Sequence, residues 1–172
     1  MRAPPGNRHA SGPEALPRVH IAAVGGKLPG WANAACEEYL KRLPRGFEAS
    51  LSEIKAEPRS AGKSVSQMTA AEARRLRSAL PVGARLVGLD ERGKDLSTAQ
   101  FAAKLRLWLD SGTPTAFLIG GPDGLDALLK RDCDALLRLS SFTLPHALAR
   151  VLFAEQLYRA ASLLTGHPYH RS

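Results

Sequence analysis

Short apolar runs alternate with segments of helical periodicity along most of the chain, and this alternation restricts the fold more than any other sequence feature. Apolar or alternating runs predict strands at 18–25, 48–57, 84–90, 115–119 and 135–140. Helical patterns between them predict helices at 29–43, 66–80, 98–109, 125–131 and about 145–165. Strands that alternate with helices over short connections form an α/β fold, with a mostly parallel sheet flanked by helices on both faces.

Local signals add detail to three of the predicted helices. In the helix at 29–43 one face is predicted to contain Trp31, Ala35, Tyr39 and Leu43. Ser97 begins a capping box with Gln100 at the start of the helix at 98–109. Gly166, with Pro168 beyond it, predicts the end of the last helix.

The beginning of the chain differs in composition from the rest. Residues 1–17 contain four prolines, two glycines and almost no large apolar side chain. Such a segment buries too little apolar surface to fold, so we expect a disordered extension there and a single domain over residues 18–172. The segment also lacks the apolar core of a secretory signal, and no later run approaches the roughly 20 apolar residues of a membrane span. We therefore expect a cytoplasmic protein without membrane association.

Basic residues outnumber acidic ones, with 24 Lys and Arg against 16 Asp and Glu and a formal net charge of +8. A surface of this sign attracts polyanions, so nucleic acid and anionic membranes are candidate partners, although a generally basic proteome would give the same balance. The two cysteines, Cys36 and Cys133, are far apart and lack metal-ligand spacing. They predict free thiols, with neither a disulfide framework nor a metal site.

The loops 90–94, 120–124 and 140–144 follow predicted strands and have unusual compositions. In open parallel sheets, ligands bind where such loops converge. The glycines of 120–124 would let backbone groups approach a ligand, but their spacing matches neither the dinucleotide motif nor the phosphate-binding motif, and a plain tight turn is the alternative. The hydroxyls of 140–144 could contact a ligand or only cap the last helix, with Thr143 as the cap before Pro145.

The last predicted helix and the residues after it carry further chemical groups. The helix has apolar residues on most sides, which predicts burial by the core and also by a second subunit. His146 lies at its beginning, where the helix dipole disfavours a charged imidazole, so we interpret it as a neutral hydrogen-bonding residue. The chain ends His-Pro-Tyr-His-Arg-Ser, whose ring planes could stack on an unpaired base while Arg171 contacts phosphate. A tail without a role is the alternative.

Several separate blocks of the sequence match one family. The residues that carry the match are Val24-Gly25, Lys27-Leu28-Pro29, Tyr39-Leu40-Lys41-Arg42, Leu89-Asp90, Gly93-Lys94, LIGGPDGL at 118–125, LSSFTLPH at 139–146, ARVL at 149–152, EQLYRA at 155–160 and HPYHR at 167–171. With these blocks the chain resembles the bacterial large-subunit ribosomal RNA pseudouridine N3-methyltransferases, the small single-domain members of the knotted SPOUT class. The extension 1–17 and a shorter stretch around 62–80 depart from the family, both away from the motif loops.

The resemblance implies a deep C-terminal trefoil knot, a homodimer, and S-adenosylmethionine as the cofactor. Carried over position by position, the expected cofactor-binding residues are Leu89, Gly120, Leu139, Ser140, Ser141, Phe142, Thr143 and Leu144. The implied substrate is a pseudouridine in a stem-loop of 23S rRNA within the ribosome. The expected catalytic residues are His170, Tyr169 and Arg150, and the expected RNA contacts are His167, Arg159 and Arg171.

The resemblance also suggests a role for each of these catalytic and RNA-binding residues. We expect the tail of one subunit to close over the cofactor site of the other, with Tyr169 and His170 positioning the base. His170 is the expected proton acceptor, because the reference pKa of histidine lies near neutrality. Arg150 and Arg171 are expected to face phosphate or the developing anion.

Two other function classes stay open. A non-catalytic RNA-binding or ribosome-assembly factor would share the basic surface but bind no S-adenosylmethionine. An enzyme acting on nucleotide phosphates would use the loop 120–124. That loop lacks the Lys-Ser/Thr ending of the phosphate-binding motif, and no metal-binding pair of carboxylates is obvious in the sequence.

Overall fold

The computed structural model describes residues 18–59 and 62–171, and for His170 and Arg171 it describes the backbone alone. The expected disorder of residues 1–17 therefore lies outside the described residues. The sheet has five strands in the order β2-β1-β4-β3-β5, and all four neighbouring pairs are parallel. The strands are β1 (Val19–Val24), β2 (Ala49–Ile54), β3 (Arg85–Asp95), β4 (Thr115–Ile119) and β5 (Ala135–Arg138). The predicted parallel α/β sheet is confirmed.

The helices follow the predicted alternation. They are α1 (Gly30–Lys41), α2 (Val65–Ser78), α3 (Thr98–Asp110), α4 (Ala127–Arg131) and α5 (His146–Thr165), with a 3-10 turn at Pro168–Arg171. The capping box predicted at Ser97 and Gln100 is present, with the hydroxyl accepting from the Gln100 amide. The cap predicted at Thr143 is wrong, because α5 begins directly after Pro145 without any side-chain cap. No helix among the described residues is long and apolar enough to cross a membrane.

Side chains along the buried strands alternate between two layers of helices. In β1, Val19, Ile21 and Ala23 pack in the cluster formed with α3 and α5, whereas Ala22 and Val24 pack with α2 and α4. This alternation is the two-residue period of a strand that is covered on both faces. The helices therefore leave the carboxyl edge of the sheet, where the loops emerge, free to form a site.

An aromatic cluster fixes α5 on the sheet. The ring of the fully buried Phe117 lies 4.7 Å from that of Phe153 on α5 and 6.0 Å from that of Phe101 on α3. Removing an aromatic ring from such a core costs about 3–5 kcal/mol. Because α5 is anchored there, its first turn is held at the carboxyl edge of the sheet.

Helix α1 packs on α5 through a different stripe from the one its sequence pattern predicts. The predicted face contains Trp31 and Ala35, but the buried residues are Ala32 and Cys36, and Trp31 is 56% exposed. The small side chains Ala32 and Cys36 let the two helices approach closely, with Ala154 of α5 buried in the same cluster. A bulky indole would hold the helices apart, which explains the rotation.

The chain crosses itself closely beside β5. The pairing of β3 with β5 breaks between Leu89 and Lys94, which both pair with Leu137, so residues 90–93 arch out of the sheet. A Cβ built on Gly93 would lie 2.5 Å from the carbonyl carbon of Leu137. Only glycine allows this approach. The crossing places the arch directly beside the loop that follows β5.

Candidate active site

A cleft of about 660 Å³ lies at the carboxyl edge of β3, β4 and β5. Its lining includes Leu89, Gly120, Leu139, Ser140, Ser141, Phe142, Thr143 and Leu144. These are all eight of the residues predicted to bind the cofactor. The three loops converge because their strands are parallel neighbours and therefore end at the same edge of the sheet.

The turn 120–124 folds back on itself to form one wall of the cleft. A Cβ built on Gly120 would lie 2.4 Å from the carbonyl carbon of Gly124, and the Gly124 amide donates to the carbonyl of Gly121 over 2.9 Å. Gly124 itself has a φ of 77°, which favours glycine. The tight turn and the wall of the cleft are therefore the same structure, and the two interpretations of the glycines are compatible.

The charged residues of the cleft balance one another. Three acids and three bases line it, Asp90, Glu91, Asp123, Arg92, Lys130 and Arg138. The best-buried carboxylate, Asp90, accepts from Lys130 over 3.1 Å, and its side chain is only 9% exposed. The cleft thus has no net formal charge although the chain carries +8. A cleft of this kind suits a ligand that carries both signs of charge better than it suits a polyphosphate.

Sequence reasoning missed Lys130 and Arg138 as lining residues. Lys130 lies on the short helix α4, and Arg138 ends β5, where Asp95 of β3 binds its guanidinium through two hydrogen bonds. The carboxylate partner of each residue is distant in sequence. Asp90 is 40 residues from Lys130, and Asp95 is 43 residues from Arg138. No local signal pairs such residues. Arg138 lies inside the strand predicted at 135–140, so its place at the carboxyl end of β5 was not predicted either.

His146 lines the cleft, and Arg150 lies directly behind it. Arg150 is 2% exposed, and its Nη1 donates to Oε1 of Glu53 over 2.9 Å. Its Nη2 donates to the carbonyl of Val24 over 3.2 Å, and its Nε donates to Nε2 of His146 over 3.1 Å. The expectation that Arg150 faces phosphate or an anion is therefore wrong within this chain, since the guanidinium is buried and each of its three nitrogens donates to a group of the same chain.

The imidazole of His146 is held neutral. Burial lowers its pKa, and the neighbouring Arg150 charge lowers it further, against the opposite effect of a hydrogen bond to the Val24 backbone. Because Nε2 accepts from Arg150, the single proton of the neutral ring lies on Nδ1. This arrangement agrees with the neutral hydrogen-bonding role that the sequence predicts.

The C-terminal residues pack back against the second half of α5. The ring of Tyr169 lies 4.6 Å from that of Tyr158, and the Arg159 guanidinium lies 5.0 Å from the Tyr169 ring. Arg159 also donates to Glu155 over 2.8 Å. Burial first, and then a hydrogen bond with Tyr39, raises the pKa of Tyr169 to about 12. The phenol is therefore protonated at physiological pH.

The described part of the tail does not reach the cleft of the same chain. Ala149 is the last residue of α5 that lines the cleft, and Tyr158 lies nine residues further along the helix, a rise of about 14 Å. Tyr169 and Arg159 lie beside Tyr158, with the Tyr169 hydroxyl 3.3 Å from Glu155, and the His167 ring lies 6.3 Å from that of Tyr158. The side chains of His170 and Arg171 lie outside the described residues.

Metal ligands do not cluster in the described part of the chain. Over residues 18–59 and 62–169 the structure contains no group of three or more His, Cys, Asp or Glu side chains placed to hold an ion. Both cysteines are free thiols, as predicted, with Cys36 buried and Cys133 partly buried. Burial raises the pKa of each thiol, so neither is poised as a nucleophile.

Known proteins resemble this chain over most of its length. A family model described as predicted SPOUT methyltransferase matches residues 18–170. The ribosomal RNA large subunit methyltransferase H of Bordetella pertussis is 56% identical over 155 residues, covering 90% of this chain and 99% of that protein. The protein of the same name from Methylibium petroleiphilum is 54% identical over 154 residues, with the same coverage.

Solved structures share the fold. A probable methyltransferase from Bordetella pertussis Tohama I superposes with a TM-score of 0.55 at 20% identity, covering 84% of this chain and 95% of that one. A probable methylase family protein from Haemophilus influenzae Rd KW20 gives a TM-score of 0.53 at 14% identity, covering 90% and 70%. On the strength of the family model and the close relatives, the chain belongs to the SPOUT methyltransferase family.

Proposed function

We propose that this enzyme transfers a methyl group from S-adenosylmethionine to N3 of a pseudouridine in 23S rRNA. The target lies in a stem-loop at the subunit interface of the ribosome, and the enzyme acts in the cytoplasm as a homodimer. The observation that carries the proposal is the single cleft in which Leu89, Gly120 and the run 139–144 converge. The relatives that are more than half identical bear the name of a large-subunit rRNA methyltransferase.

The cleft fits the cofactor that this family uses. Its volume of about 660 Å³ lies within the range of roughly 300–1,000 Å³ found for small-molecule sites. S-adenosylmethionine carries a sulfonium, an ammonium and a carboxylate, and the balanced charges of the lining suit such a ligand. Leu89, Gly120 and residues 139–144 would hold it, chiefly through main-chain groups, and Gly120 would leave room because it has no side chain. When bound, it supplies an electrophilic methyl group.

The protein must then prepare the acceptor nitrogen. N3 of pseudouridine is a weakly acidic imide and a poor nucleophile until it loses its proton, so the site has to align N3 and accept that proton. His146 cannot accept it, because its Nε2 is already bound by Arg150. Tyr169 is a neutral phenol and is suited to position the base. We propose His170, the proton acceptor that the family resemblance implies, for this step.

The tail that carries His170 would act on the partner subunit. Its anchor at Tyr158 lies about 14 Å along α5 from the cleft of the same chain, too far for direct contact. Helix α5 also leaves Leu148 and Leu163 exposed, at 43% and 37%, beside its buried face. A second copy packed on this helix would cover them and bring its tail to the cleft. We propose His167, Arg159 and Arg171 as RNA contacts in that dimer.

The proposed fold includes the trefoil knot that the family resemblance implies. The support is the close crossing of Gly93 over Leu137, where the arch 90–93 passes against β5. If the chain threads behind this arch before it enters α5, residues 139–144 lie against the cleft, which they line. The proposed knot would also hold the cofactor loops in one conformation.

Two alternative functions make different predictions. An RNA-binding or assembly factor without catalytic activity would not bind S-adenosylmethionine, so one calorimetric titration separates it from the enzyme. An enzyme acting on nucleotide phosphates would need a cationic cleft, whereas three acids balance three bases here. The charge balance therefore favours the methyltransferase.

The decisive test is to map the methylated nucleotide. We expect mass spectrometry of 23S rRNA from a deletion strain to lack one methyl group on one pseudouridine, and a plasmid copy of the gene to restore it. Purified enzyme should methylate ribosomes from the deletion strain at the same nucleotide, and parallel reactions with free rRNA and isolated subunits identify the substrate. An unchanged methylation pattern in the deletion strain would refute the proposal.

A further inference from the structure

A polar node around the buried guanidinium of Arg150, with Glu53 on its solvent-exposed side, joins the first turn of α5 to the carboxyl ends of β1 and β2. It consists of Gly25, Glu53, His146 and Arg150, with the carbonyl of Val24. Glu53 is 97 residues from Arg150 in sequence, yet its carboxylate lies 2.9 Å from the guanidinium. A Cβ on Gly25 would lie 2.8 Å from both Nη2 of Arg150 and Nε2 of His146. The node is therefore closely packed.

The charges of the node leave its cleft side neutral. Glu53 balances Arg150, whose side chain is only 1% exposed, and Arg150 in turn occupies the one basic nitrogen of His146. Cys36 is a titratable group close to Arg150 and Glu53 but outside the node, and burial raises the pKa of its thiol. What faces the cleft is therefore the uncharged imidazole. The proposed cofactor carries a positive sulfonium, and a charged imidazole in the wall would repel it.

We propose that Arg150 is a positioning residue that keeps His146 in its neutral, Nδ1-protonated form, so that the wall of the cleft does not oppose a sulfonium ligand. This inference rests on the proposed cofactor site. It assigns Arg150 to cofactor selection through His146 instead of to direct contact with RNA. It also distinguishes two ligands that differ by one methyl group and one charge, S-adenosylmethionine and its neutral thioether product S-adenosylhomocysteine.

The Arg150→Met variant tests the proposal, because methionine fills space near the core without charge or donors. Without the guanidinium, His146 is free to bind a proton as the pH falls. We expect the affinity of this variant for S-adenosylmethionine, relative to S-adenosylhomocysteine, to be about fivefold lower near pH 6 than near pH 8. Calorimetry with both ligands on wild type and variant gives the ratio. Wild type should keep a constant ratio over the same range.

The double variant Arg150→Met, His146→Gln is the matched control. Glutamine cannot be protonated, so the pH dependence of the affinity ratio should disappear. If the ratio for Arg150→Met stays constant with pH, or if the double variant keeps the dependence, the proposal is wrong. Absence of S-adenosylmethionine binding to wild type would instead refute the proposed function.

A measurement on wild type keeps the proposal testable if the variant does not fold. The imidazole nitrogens are observed by NMR, with His146 assigned by comparison with His146→Gln. We expect a neutral ring with its proton on Nδ1 at neutral pH. A proton on Nε2, or a charged ring at neutral pH, would overturn the inference.

Discussion

The phenol ring of Tyr169 packs against that of Tyr158 on α5, with the ring centroids 4.6 Å apart. The Arg42 guanidinium lies 4.9 Å from the Tyr158 ring and 5.6 Å from the Tyr169 ring, so it stabilises both. The contact ties the C-terminal turn to the body of the subunit. Tyr158 therefore sets the position of the C-terminal turn, from which the tail would reach the partner's cleft in the proposed dimer.

Replacing Tyr158 by Leu should slow methylation without weakening cofactor binding. An aromatic pair of this kind contributes about 0.5–1.5 kcal/mol, so we expect roughly a two- to tenfold lower single-turnover rate on ribosomes. Calorimetry should give an unchanged affinity for S-adenosylhomocysteine, because the pair lies far from the cleft. Tyr158→Phe keeps the ring and is the control. A normal rate for Tyr158→Leu would show that the ring pair does not position the tail.

Replacing Gly120 by Val should abolish cofactor binding. Even a Cβ at this position would lie 2.4 Å from the Gly124 carbonyl carbon, and valine adds two methyl groups at the wall of the cleft. Calorimetry with S-adenosylhomocysteine should show no binding at concentrations that saturate wild type. Gly30→Ala, where a Cβ would meet nothing within 4 Å, should bind normally. Normal affinity of the valine variant would place the cofactor elsewhere.

Replacing His170 by Ala should remove the proposed proton acceptor. We expect the single-turnover rate with saturating ribosomes to fall by about 10²–10⁴-fold, the usual contribution of a general base. Cofactor affinity should stay within about twofold of wild type, because the residue acts on the RNA base. An unchanged rate would exclude His170 from the mechanism and leave the proton to solvent.

Replacing Gly25 by Ala should destabilise the fold through the polar node. The new Cβ would lie 2.8 Å from Arg150 and His146, and Gly25 has a φ of 145°, which L side chains rarely adopt. We expect a loss of about 1–3 kcal/mol in the free energy of unfolding, measured by urea denaturation. The neighbouring Gly26→Ala is the control, since its Cβ would meet nothing within 4 Å. Equal stabilities of the two variants would contradict the packing described here.

The contribution of Glu57 to stability should depend on pH. Hydrogen bonds from Lys63 and then Arg75 hold the pKa of this carboxyl below its usual value. A carboxyl whose pKa is lower in the folded than in the unfolded state stabilises the fold at pH values above its unfolded pKa of about 4.3. This stabilisation is lost as the pH falls through the folded-state pKa. Glu57→Gln should therefore lower the Tm at neutral pH and not near pH 2. A pH-independent difference in Tm would assign the effect to packing.

The local structure of this chain could be predicted from its sequence because local interactions decide it. The strand predicted at 115–119 has those bounds in the structure, since the four apolar residues that follow Thr115, between polar turns, favour burial. The capping box at Ser97 and the left-handed Gly166 that ends α5 were equally local. Parallel strands end at one edge, so the convergence of the three loops followed from the fold class.

The tertiary structure alone decided how distant residues pair. Nothing near Arg150 in sequence indicates that Glu53 would neutralise it, and a buried guanidinium looks the same in sequence as one that binds RNA. The buried face of α1 likewise depended on how closely α5 approaches Ala32 and Cys36. Periodicity and caps arise within a few residues of the chain. Burial and charge pairing depend on which surfaces meet, and that is determined only when the whole domain has folded.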